Sequence, residues 1–331
     1  MYDLIIIGAG PAGLTSSIYA SCFHLKHIVL SKTIGGQLLF APDILNYPGF
    51  ESISGEELTN RMVSQVKKRG GEIVEQAVEK ISKIENTTTN GKSTIAYEVT
   101  TEKSEAFQGK AVILATGTER RKLNVPGEVQ YTAKGVHYCA TCEKFDYENK
   151  VSAVIGGANS AVQAAVELAQ AASKVYILYR GSELRGDPIW VSQVTKNPII
   201  EILYHTQVKE IVGDGKNVTG VKISTGKPTE QQEKVLPLDK VFIEIGGVPG
   251  TALVIPIGVS MDPGGYIKVD EHLVTSAPGV FAAGDLVSYG LSIEQISSAV
   301  GLGARASASA FAYIKEEKKA PTLWGGSQIK R

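Results

Sequence analysis

Cys139-Ala140-Thr141-Cys142 is the stretch of this chain best suited to chemistry. Two cysteines separated by two residues can close a short disulfide. In that spacing one thiol commonly has a depressed pKa and acts as a nucleophile near neutral pH. Two of the three cysteines in the chain sit here, and Glu143 follows directly, where it could shuttle the proton that thiol exchange requires. Two other readings compete. A zinc site would draw on His137, Cys139, Cys142 and Glu143, but no second CxxC supplies the remaining ligands. A purely structural disulfide gains little, because so short a loop hardly constrains the unfolded chain. The context decides among them.

The chain has 331 residues, enough for about two domains. It is 43% hydrophobic with no net charge, which gives no electrostatic footprint for nucleic acid or an anionic membrane. Three cysteines exclude a disulfide-rich scaffold and fit a reducing compartment. Met1-Tyr2-Asp3 lacks the basic region of a signal peptide, and no apolar run has the length of a membrane span. The expectation is a soluble cytoplasmic protein.

The elements that must position the cysteines begin at the N-terminus. Residues 2–7 form an apolar, β-rich run suited to a buried parallel strand. Gly8-Ala9-Gly10-Pro11-Ala12-Gly13 then opens a helix expected to run to about Ala20. This is the dinucleotide fingerprint in its proper setting. Gly8 permits a tight turn, Gly10 lets a pyrophosphate approach the backbone, and Gly13 lets helix pack on strand. A second strand is expected at 26–30. An acidic residue at its end would bind ribose hydroxyls, and Ser31 and Lys32 stand there instead. Gly35-Gly36-Gln37-Leu38 and Asn46-Tyr47-Pro48-Gly49 follow, where Gln37 and Asn46 could bond a polar ring edge or simply belong to ordinary turns. Residues 54–70 read as an amphipathic helix with a capping box from Ser54 and Glu57. Residues 71–108 read as strands and hairpins, with Asn90-Gly91 a turn. A buried strand at 111–115 ends in Thr116-Gly117.

The same grammar repeats in the second lobe. A strand at 151–155 meets Gly156-Gly157-Ala158-Asn159-Ser160-Ala161, which opens an alanine-rich helix expected to reach Ala172. A strand at 174–179 follows, and 241–247 mirrors 111–117 as a closing strand and glycine turn. The chain therefore carries two dinucleotide folds, a long-period duplication. Ala158 replaces one glycine of the second fingerprint. Arg180 and Arg185 flank Gly181 and could grip a 2′-phosphate, or be plain surface charges. Residues 264–269 read as a strand, and 280–285 as a strand ending in Gly284-Asp285, where Asp285 could bond a sugar or ribityl hydroxyl. Residues 295–313 read as a small-residue helix whose N-terminus could face a ring carbonyl. The tail, 320–331, carries Trp324 and reads as mobile or as folding back over a ligand ring.

Taken in order, these motifs, with Ala115-Thr116-Gly117 and Gly279-Val280-Phe281-Ala282-Ala283-Gly284-Asp285, closely resemble the low-molecular-weight thioredoxin reductases over the chain up to about residue 315. The resemblance implies an α/β protein of two nested Rossmann-like, three-layer ββα domains. Residues 1–117 and 248–331 would form an FAD domain, and 118–247 an inserted NAD(P)H-type domain carrying the CATC pair. FAD would lie along Gly8, Gly10, Pro11, Ala12 and Gly13, with Ser31, Lys32, Val78, Ala115, Thr116 and Gly117 beside it. The flavin would meet Gly35, Gly36, Gln37, Leu38 and Asn46. Asp285, after Gly284, would hold the ribityl chain, and Gln295 and Ile296 would cap the pyrimidine edge. Cys142 would lie nearest the flavin, and Cys139 would attack the disulfide of thioredoxin or a thioredoxin-like protein. The family's domain rotation would hinge near residues 117 and 247. A homodimer is expected by the same resemblance.

This sequence departs from the family pattern at the donor site. Glu143 stands where the family has Asp. NADPH-using members resemble a GxGxxA turn followed by His-Arg-Arg-x-x-x-Arg; here Ala158 and Tyr179-Arg180-Gly181 interrupt it. One adjacent arginine is missing, worth about 1.5–3 kcal/mol of charge-assisted bonding. Glu294 stands where the family often has Arg. The pyridine-nucleotide residues would be Gly156, Asn159, Ser160, Arg180 and Arg185. The donor is accordingly open among NADPH, NADH and reduced ferredoxin. A flavin-bearing redox sensor without fast turnover is a further alternative.

Overall fold

The computed structural model describes residues 1–41, 44, 46–87, 93–138, 140, 147–226, 231–289 and 294–318. Cys139, Cys142, Glu143, Asn90, Gly91 and Trp324 lie outside them. The chain divides into two compact units, one of Met1–Glu119 with Pro249–Arg331 and one of Arg120–Val248. No helix among the described residues is long and apolar enough to cross a membrane.

In the first unit the chain runs β1 (Tyr2–Ala9), α1 (Pro11–Cys22), β2 (His27–Ile34), α2 (Gly55–Lys68), β3 (Glu72–Glu75), β4 (Val78–Thr87), β5 (Ser93–Thr101) and β6 (Ala106–Leu114). From Leu4 to Ile7 β1 is apolar, because both of its faces are buried there. Leu4 and Ile6 enter one core, with α1 and α2, and Ile5 and Ile7 enter the other. Each such fully buried side chain contributes about 1.5–3 kcal/mol. β2 runs on to Ile34, past the expected end at Leu30, with a register shift that pairs Ala9 with Ile34. α2 starts where expected. Ser54 caps it by accepting the N–H of Glu57, but the reciprocal half of the capping box is replaced by a Glu57–Arg61 ion pair.

The chain passes between the units along β7 (Thr118–Arg120). The second unit follows with β8 (Val136–His137), β9 (Val151–Ile155), α3 (Asn159–Leu168), β10 (Lys174–Leu178), α4 (Pro188–Lys196), β11 (Ile200–Leu203), β12 (Thr206–Gly213), β13 (Val218–Thr225), β14 (Gln232–Pro237) and β15 (Lys240–Ile243). α3 ends at Leu168, four residues before the expected Ala172. Its alanines favour helix, but Asn149 donates to the Ala171 carbonyl and Ser173 to that of Lys150, turning the chain into β10. After β16 (Gly247–Pro249) the first unit is completed by β17 (Ile267–Lys268), β18 (Val280–Ala282), β19 (Val287–Ser288) and α5 (Ile296–Lys315). The strand expected at 264–269 shrinks to two residues, because Asp262 takes the N–H groups of Gly264 and Tyr266 and holds a turn.

The units repeat one architecture. In the first, the parallel order is β3-β2-β1-β6, and β18 also pairs with β6. In the second it is β11-β10-β9-β15-β8, parallel throughout. Each adds an antiparallel meander, β4-β5-β6 or β12-β13-β14. β6 joins the meander to the parallel strands in one seven-stranded sheet: its residues up to Gly109 pair with β5, and those from Gly109 on pair with β1 and, from Val112, with β18. In the second unit the meander is a separate sheet. α1 and α5 pack closely through small residues. A β-carbon on Gly303 would overlap the Ala12 carbonyl; across the helix pair Ser16 Oγ donates to the Gly303 carbonyl and Ser307 Oγ to the Ser16 carbonyl.

Candidate functional site

The first glycine turn is built by close approach. Gly8 has φ +107°, and a β-carbon there would overlap the Ala115 carbonyl. One on Gly13 would overlap the carbonyl of Gly8. Gly10 differs: a β-carbon there meets nothing within 4 Å, so its backbone borders open space at the start of α1. Pro11 occupies the first helical turn, where its missing N–H costs nothing. The turn thus offers bare backbone and a helix N-terminus to an anion.

The other expected cofactor residues of the first unit gather around this turn. Gly35 donates its N–H to the Ala9 carbonyl at 2.8 Å, and a β-carbon on Gly36 would stand 3.5 Å from Gly10 Cα. Leu38 is buried. Gln37 Nε2 donates to Thr118 Oγ1 at 2.9 Å and to its carbonyl at 3.0 Å, while Thr116 Oγ1 donates to the Gly250 carbonyl. Gly117 has φ +62°. Asn46 Nδ2 donates to Gln295 Oε1 at 2.8 Å, which joins two residues expected at one edge of the ring; Gln295 caps α5 and Ile296 begins it. Gly284 has φ +88° and lies against Ala12, so Asp285 follows at the mouth of the turn. Burial, aided by Glu294, pushes the Asp285 carboxyl up to about 6, and no described residue hydrogen-bonds it. Val78 opens β4 beside the second core of this unit.

Ser31 is more committed than its sequence position suggests. Its hydroxyl donates to the Thr33 carbonyl at 2.8 Å and accepts the Ala9 N–H at 3.1 Å. It braces the glycine turn from behind. Lys32 is exposed. The chemistry of this donor set fits FAD: bare backbone for a pyrophosphate, an unsatisfied carboxyl for hydroxyls, and amides for a ring edge.

The second unit repeats the turn. Gly156 has φ +145°, and a β-carbon there would overlap the carbonyl of Glu244. Ala158 is extended and opens α3, with Asn159 and Ser160 exposed in its first turn. The basic loop is tied to this turn: Arg185 N–H donates to the Gly157 carbonyl at 2.7 Å, and Asn159 Oδ1 accepts the Asp187 N–H at 2.6 Å. Arg180 and Arg185 are both exposed. The buried Tyr179 ring lies beside both Gly157 and Gly181, close enough that a β-carbon on either would overlap it.

Of the redox stretch, Ala140 is described and is buried against α3 and β9. His137, a ligand in the zinc alternative, is buried and stacked on Phe242, with centroids 5.3 Å apart. Two residues that motif reading passed over meet here. Glu244 follows β15 and is 8% exposed. Arg120 Nη1 donates to its Oε2 at 2.9 Å, and the Ala140 main chain donates to the same carboxylate. Burial pushes the Glu244 carboxyl up to about 7, against the lowering by Arg120 and Ala140 and with a further rise from Glu167. The signal was present in the sequence as a single acid inside the apolar run Val241-Phe242-Ile243-Glu244-Ile245.

Comparison with known proteins agrees with this geometry. The family described as pyridine nucleotide-disulphide oxidoreductase matches residues 2–303. Thioredoxin reductase of Listeria monocytogenes is 37% identical over 320 residues, 96% of each chain. That of Bacillus subtilis is 38% identical over 320 residues, again 96% of each. Among solved structures, Lactococcus lactis thioredoxin reductase superimposes with a TM-score of 0.82 at 34% identity, covering 96% of this chain and 100% of that one. The thioredoxin reductase of T. acidophilum gives 0.78 at 35% identity, covering 94% and 98%. With two glycine turns of one design in one chain, and relatives of this identity along nearly all of it, the protein belongs to the pyridine nucleotide-disulphide oxidoreductase family, within its thioredoxin reductase branch.

Proposed function

We propose that this chain is an FAD-dependent thioredoxin-disulfide reductase that passes two electrons through Cys139 and Cys142 to the disulfide of thioredoxin. The observation that carries the reading is the first glycine turn, where Gly8 and Gly13 are closed by neighbouring carbonyls and Gly10 alone is open. FAD, when bound, would supply the two-electron chemistry between a donor and the Cys139–Cys142 disulfide. The N–H groups that open α1 would hold its pyrophosphate, Asp285 would take the ribityl hydroxyls, and the Asn46–Gln295 pair would set one ring edge.

The reduced pair then does the exchange. The Cys139 thiolate attacks one sulfur of the partner disulfide, and the other leaves as a thiolate that takes a proton. The Cys142 thiol, giving its proton to Glu143, attacks Cys139 Sγ and releases the second partner sulfur. The partner leaves as a dithiol and Cys139–Cys142 is a disulfide again. In this reading the donor is NADPH, with its pyrophosphate at Gly156 and α3 and its 2′-phosphate between Arg180 and Arg185. The tie from Arg185 N–H to the Gly157 carbonyl supports it, because it keeps the basic loop beside the turn.

The test is an anaerobic titration of the holoenzyme with NADPH and then NADH, following flavin absorbance, and then turnover with thioredoxin. Bleaching near stoichiometry by NADPH and steady reduction of thioredoxin are expected. Bleaching by dithionite and reduced ferredoxin but by neither nucleotide would overturn the donor assignment. Absence of turnover with a reduced flavin would overturn the reductase itself.

A further inference from the structure

In a dinucleotide fold the adenosine ribose is read at the end of the second strand, about 20 positions past the glycine turn. In the second unit that position is Tyr179, directly after β10. Its main chain is fixed on both sides: the N–H donates to the Leu203 carbonyl at 3.0 Å, and its carbonyl accepts the Thr206 N–H at 3.0 Å. The ring belongs to the core of this unit and the residue is 8% exposed. One ring edge lies against the glycine turn, where a β-carbon on Gly157 would stand 2.6 Å from Cε2. The other lies against the basic loop, where a β-carbon on Gly181 would stand 2.8 Å from the phenolic oxygen. Two glycines thus make room for one ring, and its hydroxyl stands where a side chain at 181 would begin. The loop is tied around it: His205 N–H donates to the Gly181 carbonyl at 3.1 Å, and Arg185 N–H to that of Gly157 at 2.7 Å. A buried tyrosine usually gives its hydroxyl a partner. Among the described residues this hydroxyl has none, and it is not sealed from solvent.

We propose that the Tyr179 hydroxyl is a third donor to the 2′-phosphate of NADPH, beside Arg180 and Arg185, and so determines which nucleotide the second unit prefers. The proposal rests on the NADPH role given above to the second glycine turn. Gly181 takes a side chain out of the basic loop and by the same absence admits the ring. The hydroxyl then supplies a donor at the point where the loop has none. A phenol is a neutral donor that an ionised phosphate oxygen accepts strongly, and a bond to an ionised group is about twice as strong as one between neutral groups. Its effect therefore falls on the phosphorylated nucleotide. NADH, with a free 2′-hydroxyl, gains little from it.

The test is a calorimetric titration of the oxidised holoenzyme and of its Tyr179→Phe variant with NADP⁺ and with NAD⁺, neither of which reduces the flavin. Phenylalanine keeps the ring against both glycines and removes the hydroxyl alone, so the melting temperature should not change. Wild type should prefer NADP⁺. The variant should lose about tenfold in affinity for NADP⁺ and keep its affinity for NAD⁺. A purely structural role would leave the ratio of the two affinities unmoved, and that result overturns the proposal. An equal loss for both nucleotides also overturns it, because it places the hydroxyl away from the 2′-phosphate. Should the variant melt lower, the ratio still decides, since a loosened ring weakens both nucleotides alike. Wild-type protein that binds neither nucleotide, or shows no preference for NADP⁺, would instead overturn the NADPH reading beneath the proposal, and the proposal with it.

Discussion

The Tyr179 ring lies so near Gly181 that a β-carbon at Gly181 would stand 2.6 Å from Tyr179 Cε1 and 2.7 Å from Cζ. The glycine that interrupts the basic loop is thus required by the aromatic ring two residues before it. Gly181→Arg should not strengthen NADPH binding, because the ring must move before the guanidinium can be placed, and it should destabilise the fold by about 1–3 kcal/mol. Arg185→Ala, whose side chain is exposed, should weaken NADPH about tenfold while leaving NADH unchanged. Flavin-bleaching titrations and thermal melts of the two variants check both statements.

The two outer glycines of the first turn and its middle one should fail differently. Gly13→Ala drives a β-carbon into the Gly8 carbonyl, so it should cost about 1–3 kcal/mol and yield protein with little flavin. Gly10→Ala meets no protein atom within 4 Å. It should keep the melting temperature of the flavin-free protein and lose flavin affinity. Comparing the melting temperature with the ratio of visible to ultraviolet absorbance separates the two.

Asp285 makes the stability of the flavin-free protein depend on pH. Its folded carboxyl is raised from 3.8 to about 6, chiefly by burial, so the folded state holds the proton more tightly than the unfolded one. The stabilisation is complete below pH 3.8 and is lost as pH rises through about 6. Asp285→Asn should remove roughly 1–3 kcal/mol of this dependence, read as the difference between wild-type and variant urea midpoints across that window.

Cys142→Ser should separate the two halves of the reaction. Flavin reduction by the donor should persist, since it does not use this thiol. Reduction of thioredoxin should fall by at least about a hundredfold, as expected when a covalent nucleophile is removed. Retention of wild-type turnover in this variant would place the electron exit elsewhere.

Much of the architecture could be read from local rules. A strand buried on both faces must be mostly apolar, and Leu4 to Ile7 of β1 and Ala153 to Ile155 of β9 are. A turn that brings its own carbonyl against the helix backbone must have glycine, as Gly13 does against the Gly8 carbonyl. The ends of elements were less legible. α3 stopped short at Leu168 because bonds to Asn149 and Lys150, not helix propensity, turn the chain there. β2 outran its apolar stretch because pairing with β1 continued to Ile34.

The amino-acid sequence by itself determined the twice-repeated order of strand, glycine turn and helix, and the pair of cysteines two residues apart. Both follow from requirements that neighbouring residues impose on one another: φ angles, bare backbone and thiol spacing. Only the tertiary structure decided that Ser31 braces the glycine turn, that Asn46 meets Gln295 across 249 positions, and that Glu244 reaches the Ala140 peptide. Those partners are set by the packing of distant elements, and no local pattern records which buried donor a lone carboxylate will find.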